Sequence, residues 1–188
     1  MKFSKEEEYL RKKDKKLKKI IDENGHIAFI PVKKNQFDTL VGIVISQFIS
    51  TKAANSIFKS IRENFNSEYL NEKQFQNLKI EHIKKLGLST NKAKTIKELS
   101  DLFLDQKFKD LSKLNMKDLN DGLVSVFGIG PWSVNMFEIF CIGKLDVFSS
   151  KDAGLRLAMN KGKMIEKGSE WEKYDSYAEK WAPYKTIA

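Results

Sequence analysis

The sequence predicts an all-α fold, and three observations carry that expectation. Apolar residues recur at three- and four-residue spacing through most of the chain, the period of a helix that buries one face. No stretch alternates apolar and polar residues for more than a few positions, so there is little material for a sheet. The size also bounds the answer: 188 residues, 41% hydrophobic and 31% charged, suffice for one core or for two small lobes sharing a cleft. The expected arrangement is a single domain of two helical lobes with a cleft between them. One lobe takes residues 1–34 with 131–188, pairing the N-terminal helices with the C-terminal tail, and the other takes residues 35–130.

Each element has its own signals. Ser4 stands where an N-cap is needed for a helix running to residue 24, with glutamates in its first turn and lysines after them. Tyr9, Leu17, Ile20 and Ile21 give it a narrow apolar stripe, its charge run reads as a solvated face, and Gly25 ends it. HIAFIPVKK is a short extended link. Phe37 to Phe65 reads as two helices broken near Gln47–Ser50. Leu40, Val41, Val44 and Ile45 are spaced for burial in the first, and Ser50 caps the second, whose inward face is Ala54, Ile57, Phe58 and Ile61. From Phe75 come a short helix, a turn at Gly87 and a longer helix capped by Ser89 or Thr90, with Lys92 and Lys94 facing solvent. Another helix covers Met116 to Phe127.

The stretch LVSVFGIGPWSVNMFEIFCIGKLDVFSSKDAGLRL, Leu123 to Leu157, is the densest in signals. LVSVF ends an amphipathic helix and GIG is a tight turn. Gly128 suits the left-handed residue that closes a helix, Gly130 permits close approach to the backbone, and Pro131 suits the first position of the next helix. The amides of Ile129, Gly130 and Trp132 through Val134 then sit near a helix start with few internal partners, a place that attracts an anion such as a phosphate. That helix stops near Gly143. After an extended DVF a new helix begins, with Ser149 or Ser150 as its cap and Asp152 in its first turn, where the helix dipole favours negative charge.

Composition narrows the partners. The net charge of +9 and pI near 9.4 favour an anionic partner, nucleic acid first. Arginine occurs only at Arg11, Arg62 and Arg156, and a chain rich in lysine, asparagine and isoleucine can reflect a biased genome. Charge alone therefore leaves DNA binding and a merely solvated surface both open. Cys141 is the single cysteine and lies in an apolar run, which excludes an internal disulfide or a cysteine cluster and suits core packing. With His26 and His82 the only histidines, no metal site built from side chains is expected. No signal peptide or membrane span is visible, so a soluble, intracellular protein is expected.

GIGPWSVN and DVFSSKDAGLRL together resemble the helix-hairpin-helix DNA glycosylases, and within them the 3-methyladenine DNA glycosylase branch. The family pattern runs hydrophobic-x-GIG-x-W-T/S-A, about twenty residues, then DVF-x-x-x-D-x-G-hydrophobic. Three further matches extend it. Phe37, Leu40, Val41, Gln47, Ser50, Ala53 and Ala54 fit F-x-x-L-V-x-x-I-hydrophobic-x-Q followed by S-x-x-A-A. LGLSTNKAKTIKELS fits LGLS-x-x-KA-x-x-I-x-x-LA, and YAEKWAPYKTIA fits YAERW-x-PWRSYA. The resemblance covers about Leu17 to Ala188.

The resemblance implies a helix-hairpin-helix motif at the mouth of the cleft and a monofunctional glycosylase for alkylated purines. Asp152 would be the catalytic carboxylate, with Asp146 fixing its loop; for Asp152 the alternative is a mere helix-start residue. Trp132 and Met136 would face the base pocket, Met136 standing where some members have a tyrosine, and core packing is the other role open to Trp132. DNA contacts would fall to Gly128, Ile129, Gly130, Trp132, Ser133, Gln47, Phe48, Ser50 and Thr51. Phe48 would be the wedge in the DNA stack or, alternatively, a packing residue between its two helices. The partner would be double-stranded DNA with a damaged base, bound by a monomer in the prokaryotic cytoplasm or nucleoid rather than a nucleus. No iron–sulfur cluster is expected, while hairpin carbonyls offer a seat for a monovalent cation. Two other classes stay open, a bifunctional glycosylase/lyase and a non-catalytic DNA-binding module. Bifunctional relatives carry a lysine two residues after the second hairpin glycine; here that residue is Trp132. The chain also departs from the family in lacking the N-terminal mixed β domain of some bacterial enzymes, and in stopping where their last helix goes on, which implies a more open pocket or a wall supplied from elsewhere.

Overall fold

The computed structural model describes residues 3–31, 35–105, 108 and 111–188, so Val32–Lys34 of the extended link lie outside the described residues. Eleven α-helices are seen among them: α1 (Lys5–Lys13), α2 (Lys15–Asn24), α3 (Gln36–Ser46), α4 (Thr51–Asn64), α5 (Lys73–Gln76), α6 (Ile80–Lys84), α7 (Thr90–Leu104), α8 (Met116–Val124), α9 (Pro131–Phe137), α10 (Ala153–Lys161) and α11 (Trp171–Ala178). A π-helical segment, Glu138–Ile142, continues α9. No strand occurs among the described residues, and none of their helices is long and apolar enough to cross a membrane.

The chain divides into two compact units, Met1–Pro31 with Gly143–Ala188, and Val32–Ile142. The sequence reading assigned residues 131–142 to the lobe of the termini; they belong instead to the second unit. Val134, Phe137 and Cys141 are buried in its core, and α9 packs on α3. The physical reason is the apolar face of α9, which continues the same core that α3 founds.

In that larger unit α3 is central. Leu40, Val41, Val44 and Ile45 are fully buried, as their spacing predicts, and α3 meets α4, α7 and α9. Ala54 and Ile61 of α4 are buried against it, with Ile57 and Phe58 partly covered. Cys141 lies in this core, where burial pushes its thiol up to about 11, so at neutral pH it is a packing group and not a nucleophile.

The smaller unit is built on Leu10, Leu17, Met159, Met164, Tyr174, Ala178 and Trp181. The expected single helix from residue 4 to 24 is two helices. Ser4 caps α1 through a capping box with Glu7, and the chain then breaks at Asp14, whose Oδ1 accepts the amides of Lys16 at 2.8 Å and Leu17 at 3.3 Å. Its Oδ2 accepts from the Trp181 indole at 3.0 Å, with the Lys180 ammonium 3.6 Å away. In a lysine run Asp14 reads as one more surface charge; it is buried because it joins the N-terminal helices to the C-terminal tail. Glu7 is buried as well, accepting from Ser4 N–H, Ile27 N–H and His26. The link after Gly25 is thereby tied to α1.

Burial alone would raise the Asp14 pKa, but hydrogen bonds from Trp181, Leu17, Lys16 and Tyr177 outweigh it and hold the carboxylate below its usual range. A depressed carboxylate contributes stability that is present above its unfolded pKa and lost as pH falls through the folded one. Asp14→Ala removes a helix cap and strands the buried Trp181 N–H, so a loss of about 2–3 kcal/mol is expected in denaturant unfolding near neutral pH. The gap between wild type and variant should narrow as the pH is taken below about 4.

Candidate DNA-facing site

The hairpin that joins α8 to α9 is held from behind by α7. Asn115 caps α8 through the Asp118 amide at 2.9 Å, and the chain leaves that helix at Ser125. Gly128 then takes φ +78°, and a Cβ there would stand 2.4 Å from Thr95 Oγ1 of α7. Both the backbone conformation and the close approach demand glycine. On the same helix, the Glu98 carboxylate accepts the Phe127 amide at 2.7 Å, and the Lys94 ammonium sits 4.2 Å over the Phe127 ring. Gly130 is the N-cap of α9 and Pro131 its first residue, as expected, and a Cβ on Gly130 would meet open space.

The amides expected to face an anion divide into two groups. Ile129 N–H donates to Val126 O at 3.1 Å, and Val134 N–H to Gly130 O at 3.2 Å, so these two close the turn and the helix rather than a ligand. The Ile129 side chain is also buried. The outward-facing part of the hairpin is therefore its crest, at Gly128 and Gly130, with the first turn of α9 after it.

Gln47 was expected on the DNA side and is used internally. Its Nε2 donates to Gly128 O at 3.0 Å and to the buried Ser133 hydroxyl at 2.9 Å. The loop between α3 and α4 is thus tied to the hairpin. Phe48 follows with φ +59° and a fully exposed ring, 103% of its reference area, whereas Ile49 is only 38% exposed. The packing alternative for Phe48 does not hold within this unit. Ser50 caps α4 by accepting the Ala53 amide at 3.3 Å, and Thr51 opens that helix.

Trp132 and Met136 are one turn apart on α9, hence on one face, each half-buried and resting on the core of the larger unit. They combine packing with an accessible edge. Lys92 is a correction. It does not face solvent: it is half-buried, burial lowers its pKa, and its ammonium donates to Ile45 O at the end of α3 at 2.8 Å. Its place in LGLSTNKA was the available signal.

Asp152 lies in the smaller unit. It is not inside the first turn behind a serine cap; it is itself the N-cap of α10, with Oδ1 accepting the Leu155 amide at 2.9 Å. Ser149 and Ser150 are buried in the preceding turn. Ser149 O accepts the Asp152 amide at 3.0 Å, and the Ser150 hydroxyl donates to Asp175 Oδ2 at 2.8 Å. Arg156 donates to Ser150 O and lies 5.3 Å over the Trp171 ring. A Cβ on Gly154 would stand 3.1 Å from Asp152 Oδ1, a physical reason for a glycine two residues after this aspartate. Asp175 and Arg156 had no sequence signal, since both look like ordinary helix-surface charges. Asp146 is exposed, with the Lys185 ammonium 3.8 Å away, and its loop is held by Thr186, whose hydroxyl accepts the Val147 amide at 3.1 Å and donates to Lys144 O at 2.8 Å.

The family model of the HhH-GPD superfamily base excision DNA repair protein matches residues 41–183. The chain belongs to this superfamily. Among curated proteins it is 27% identical to the DNA-3-methyladenine glycosylase of Saccharomyces cerevisiae, over 99% of this chain and 77% of that one. It is 22% identical to the alkylbase DNA glycosidase-like protein mag2 of Schizosaccharomyces pombe, over 99% and 90%. Among solved structures, the Schizosaccharomyces pombe 3-methyladenine DNA glycosylase in complex with abasic DNA superposes with a TM-score of 0.87 at 23% identity, over 97% of this chain and 92% of that one. The superfamily membership and the all-α fold agree with the sequence reading.

The two hairpin glycines should behave oppositely. Gly128→Ala forces a side chain into the left-handed region and against Thr95, and is expected to lose roughly 1–3 kcal/mol of stability. Gly130→Ala has room and ordinary dihedrals, and should melt within about a degree or two of wild type. Thermal unfolding of the two variants, monitored by circular dichroism, checks both.

Proposed function

We propose that this protein is a monofunctional DNA glycosylase that hydrolyses the N-glycosidic bond of alkylated purines of the 3-methyladenine type. The observation that carries the reading is Asp152, the carboxylate at the family's catalytic position, fixed by its own cap bond at the head of α10. The two curated relatives named above, whose matches span nearly all of this chain, support the substrate class.

Each residue then has a part. Duplex DNA conceals the glycosidic bond, so the nucleotide must leave the stack. Phe48 fills the gap it leaves, an exposed ring recovering part of the lost stacking. The hairpin crest meets phosphate and sets the register without reading sequence. The flipped base lies against the Trp132 ring, an electron-rich wall suited to a cationic alkylated purine, with Met136 beside it. Asp152 faces the sugar as positive charge develops. Two unit charges ~4 Å apart at an effective dielectric of ~20 attract by about 4 kcal/mol. That corresponds to roughly a thousandfold in rate when the attraction is felt only in the transition state. Water completes the hydrolysis and leaves an intact abasic site, since Trp132 stands where lyase relatives carry a lysine. The hairpin carbonyls of Val126 and Gly128 each accept one hydrogen bond and keep one lone pair that a monovalent cation can use.

Release of free methylated purines from alkylated DNA, resolved by chromatography, is the deciding assay. Asp152→Asn keeps a good N-cap and so should keep the fold and DNA binding, while excision falls about a hundredfold or more. Activity within a few fold of wild type rejects the assignment.

Phe48→Ala should leave the melting temperature unchanged, because the ring has no packing to lose. Excision from duplex should fall about tenfold or more, and from single strands, which need little unstacking, much less. Equal losses on both substrates reject the wedge.

A further inference from the structure

We propose that Lys92 is a latch that keeps Phe48 out of the helix it would otherwise join, and is thereby a positioning residue for the wedge; this rests on the reading of Phe48 given above. The argument starts from the carbonyl of Ile45. In an unbroken helix it would accept the amide of Ile49, four residues on. Here α3 stops at Ser46, and the Ile49 amide turns to Ser46 O at 3.5 Å instead. The break therefore takes away the regular partner of Ile45 O, on a residue that is fully buried. A buried carbonyl without a partner is strongly disfavoured.

Lys92 supplies the partner from another helix. It stands in the first turn of α7 and reaches across to Ile45 O at 2.8 Å, a charge-assisted bond. Half-buried and with its pKa depressed by burial, it gives up hydration that a surface lysine keeps. The competing partner is the Ile49 amide itself. Without Lys92, the carbonyl is satisfied again if α3 runs on by another turn. That shift draws Phe48 out of the left-handed conformation, at φ +59°, which a phenylalanine adopts only under constraint.

The same helix supports the hairpin through Thr95 and Glu98, and Gln47 ties the wedge loop to Gly128 and Ser133. Lys92, Thr95 and Glu98 recur at three-residue spacing along α7. One rigid helix thus sets the position of both loops.

Lys92→Met and Lys92→Arg, each checked for wild-type helicity and cooperative melting, test the latch on methylated duplex and on methylated single strands. Lys92→Met is expected to lower duplex excision about tenfold, the scale of one charged hydrogen bond to a buried acceptor, with single-strand excision changed less than about twofold. Lys92→Arg, which retains a cationic donor, should recover most of the duplex activity. In a Phe48→Ala background Lys92→Met should lower duplex excision no further. Equal losses on the two substrates, or a full further loss in that background, overturn the proposal. Hydrogen exchange reads the latch without any activity: Lys92→Met should slow exchange of the Ile49 amide about tenfold as α3 extends. Unchanged Ile49 exchange overturns the latch, whereas a Phe48→Ala variant without a duplex-specific loss overturns the wedge and leaves the exchange result to decide the latch.

Discussion

A helix that stops must hand its last carbonyls to something else, and in the larger unit this requirement organises the loop after α3. The break between α3 and α4 exposes one aromatic ring, and three side chains around it bond to the backbone. Lys92 takes the carbonyl of Ile45, Gln47 takes that of Gly128, and Ser50 takes the Ala53 amide in the first turn of α4. None of these side chains is needed for the core. Lys92 is needed because α3 is buried on nearly every side, so the carbonyl of Ile45 has little water to fall back on. The support beneath the exposed Phe48 ring is thus a consequence of how tightly the helix before it is packed.

The smaller unit solves the corresponding problem at helix starts with aspartate. Asp14 and Asp152 are both N-caps, and the difference between them lies in what surrounds the carboxylate. Asp14 is buried under Trp181, and all of its bonding holds the fold together. Asp152 is half-exposed; one oxygen orients it through the Leu155 amide, and Gly154 keeps a side chain from crowding that oxygen. The turn before it is tied to α11 by Ser150 and Asp175 and to α10 by Arg156. A single residue type caps a helix in both cases, buried in one and half-exposed in the other.

How far the sequence was legible follows from where its signals are local. Gly25, Ser50, Ser89, Pro131 and Gly143 mark helix ends by conformational preference or by a side-chain cap, and the helices begin or end there, whereas α8 stops at Val124, short of Gly128. The break at Asp14 has no glycine or proline, and the carboxylate that caps α2 there is bonded to a tryptophan 167 residues further on. Lys92 reads as solvent-facing, and the internal bonds of Gln47 go unseen, for the same reason. Each belongs to a residue type usually solvated, and only the folded chain shows the distant carbonyl it serves. Asp152 is singled out by its spacing after the GIG turn, yet its role as the cap itself is not legible, because two serines just before it are equally good caps by type. They turn out to be buried, one bonded to Asp175.

The positive charge of the chain adds less to recognition than its size suggests. Lys18, Lys19, Lys59, Lys94 and Lys97 each pair with an acid one turn along their own helix, and exposed pairs of that kind are weak and screened by salt. At the hairpin Glu98 is used as an acceptor for Phe127 N–H, although a carboxylate there lowers the positive field of this face. The order of the turn is favoured there over the sign of the charge. What distinguishes this surface is a ring with no packing partner in its own unit, a glycine crest at a helix start and a wall of tryptophan and methionine. Those features are matters of shape and apolar contact, and a uniform basic surface would not supply them.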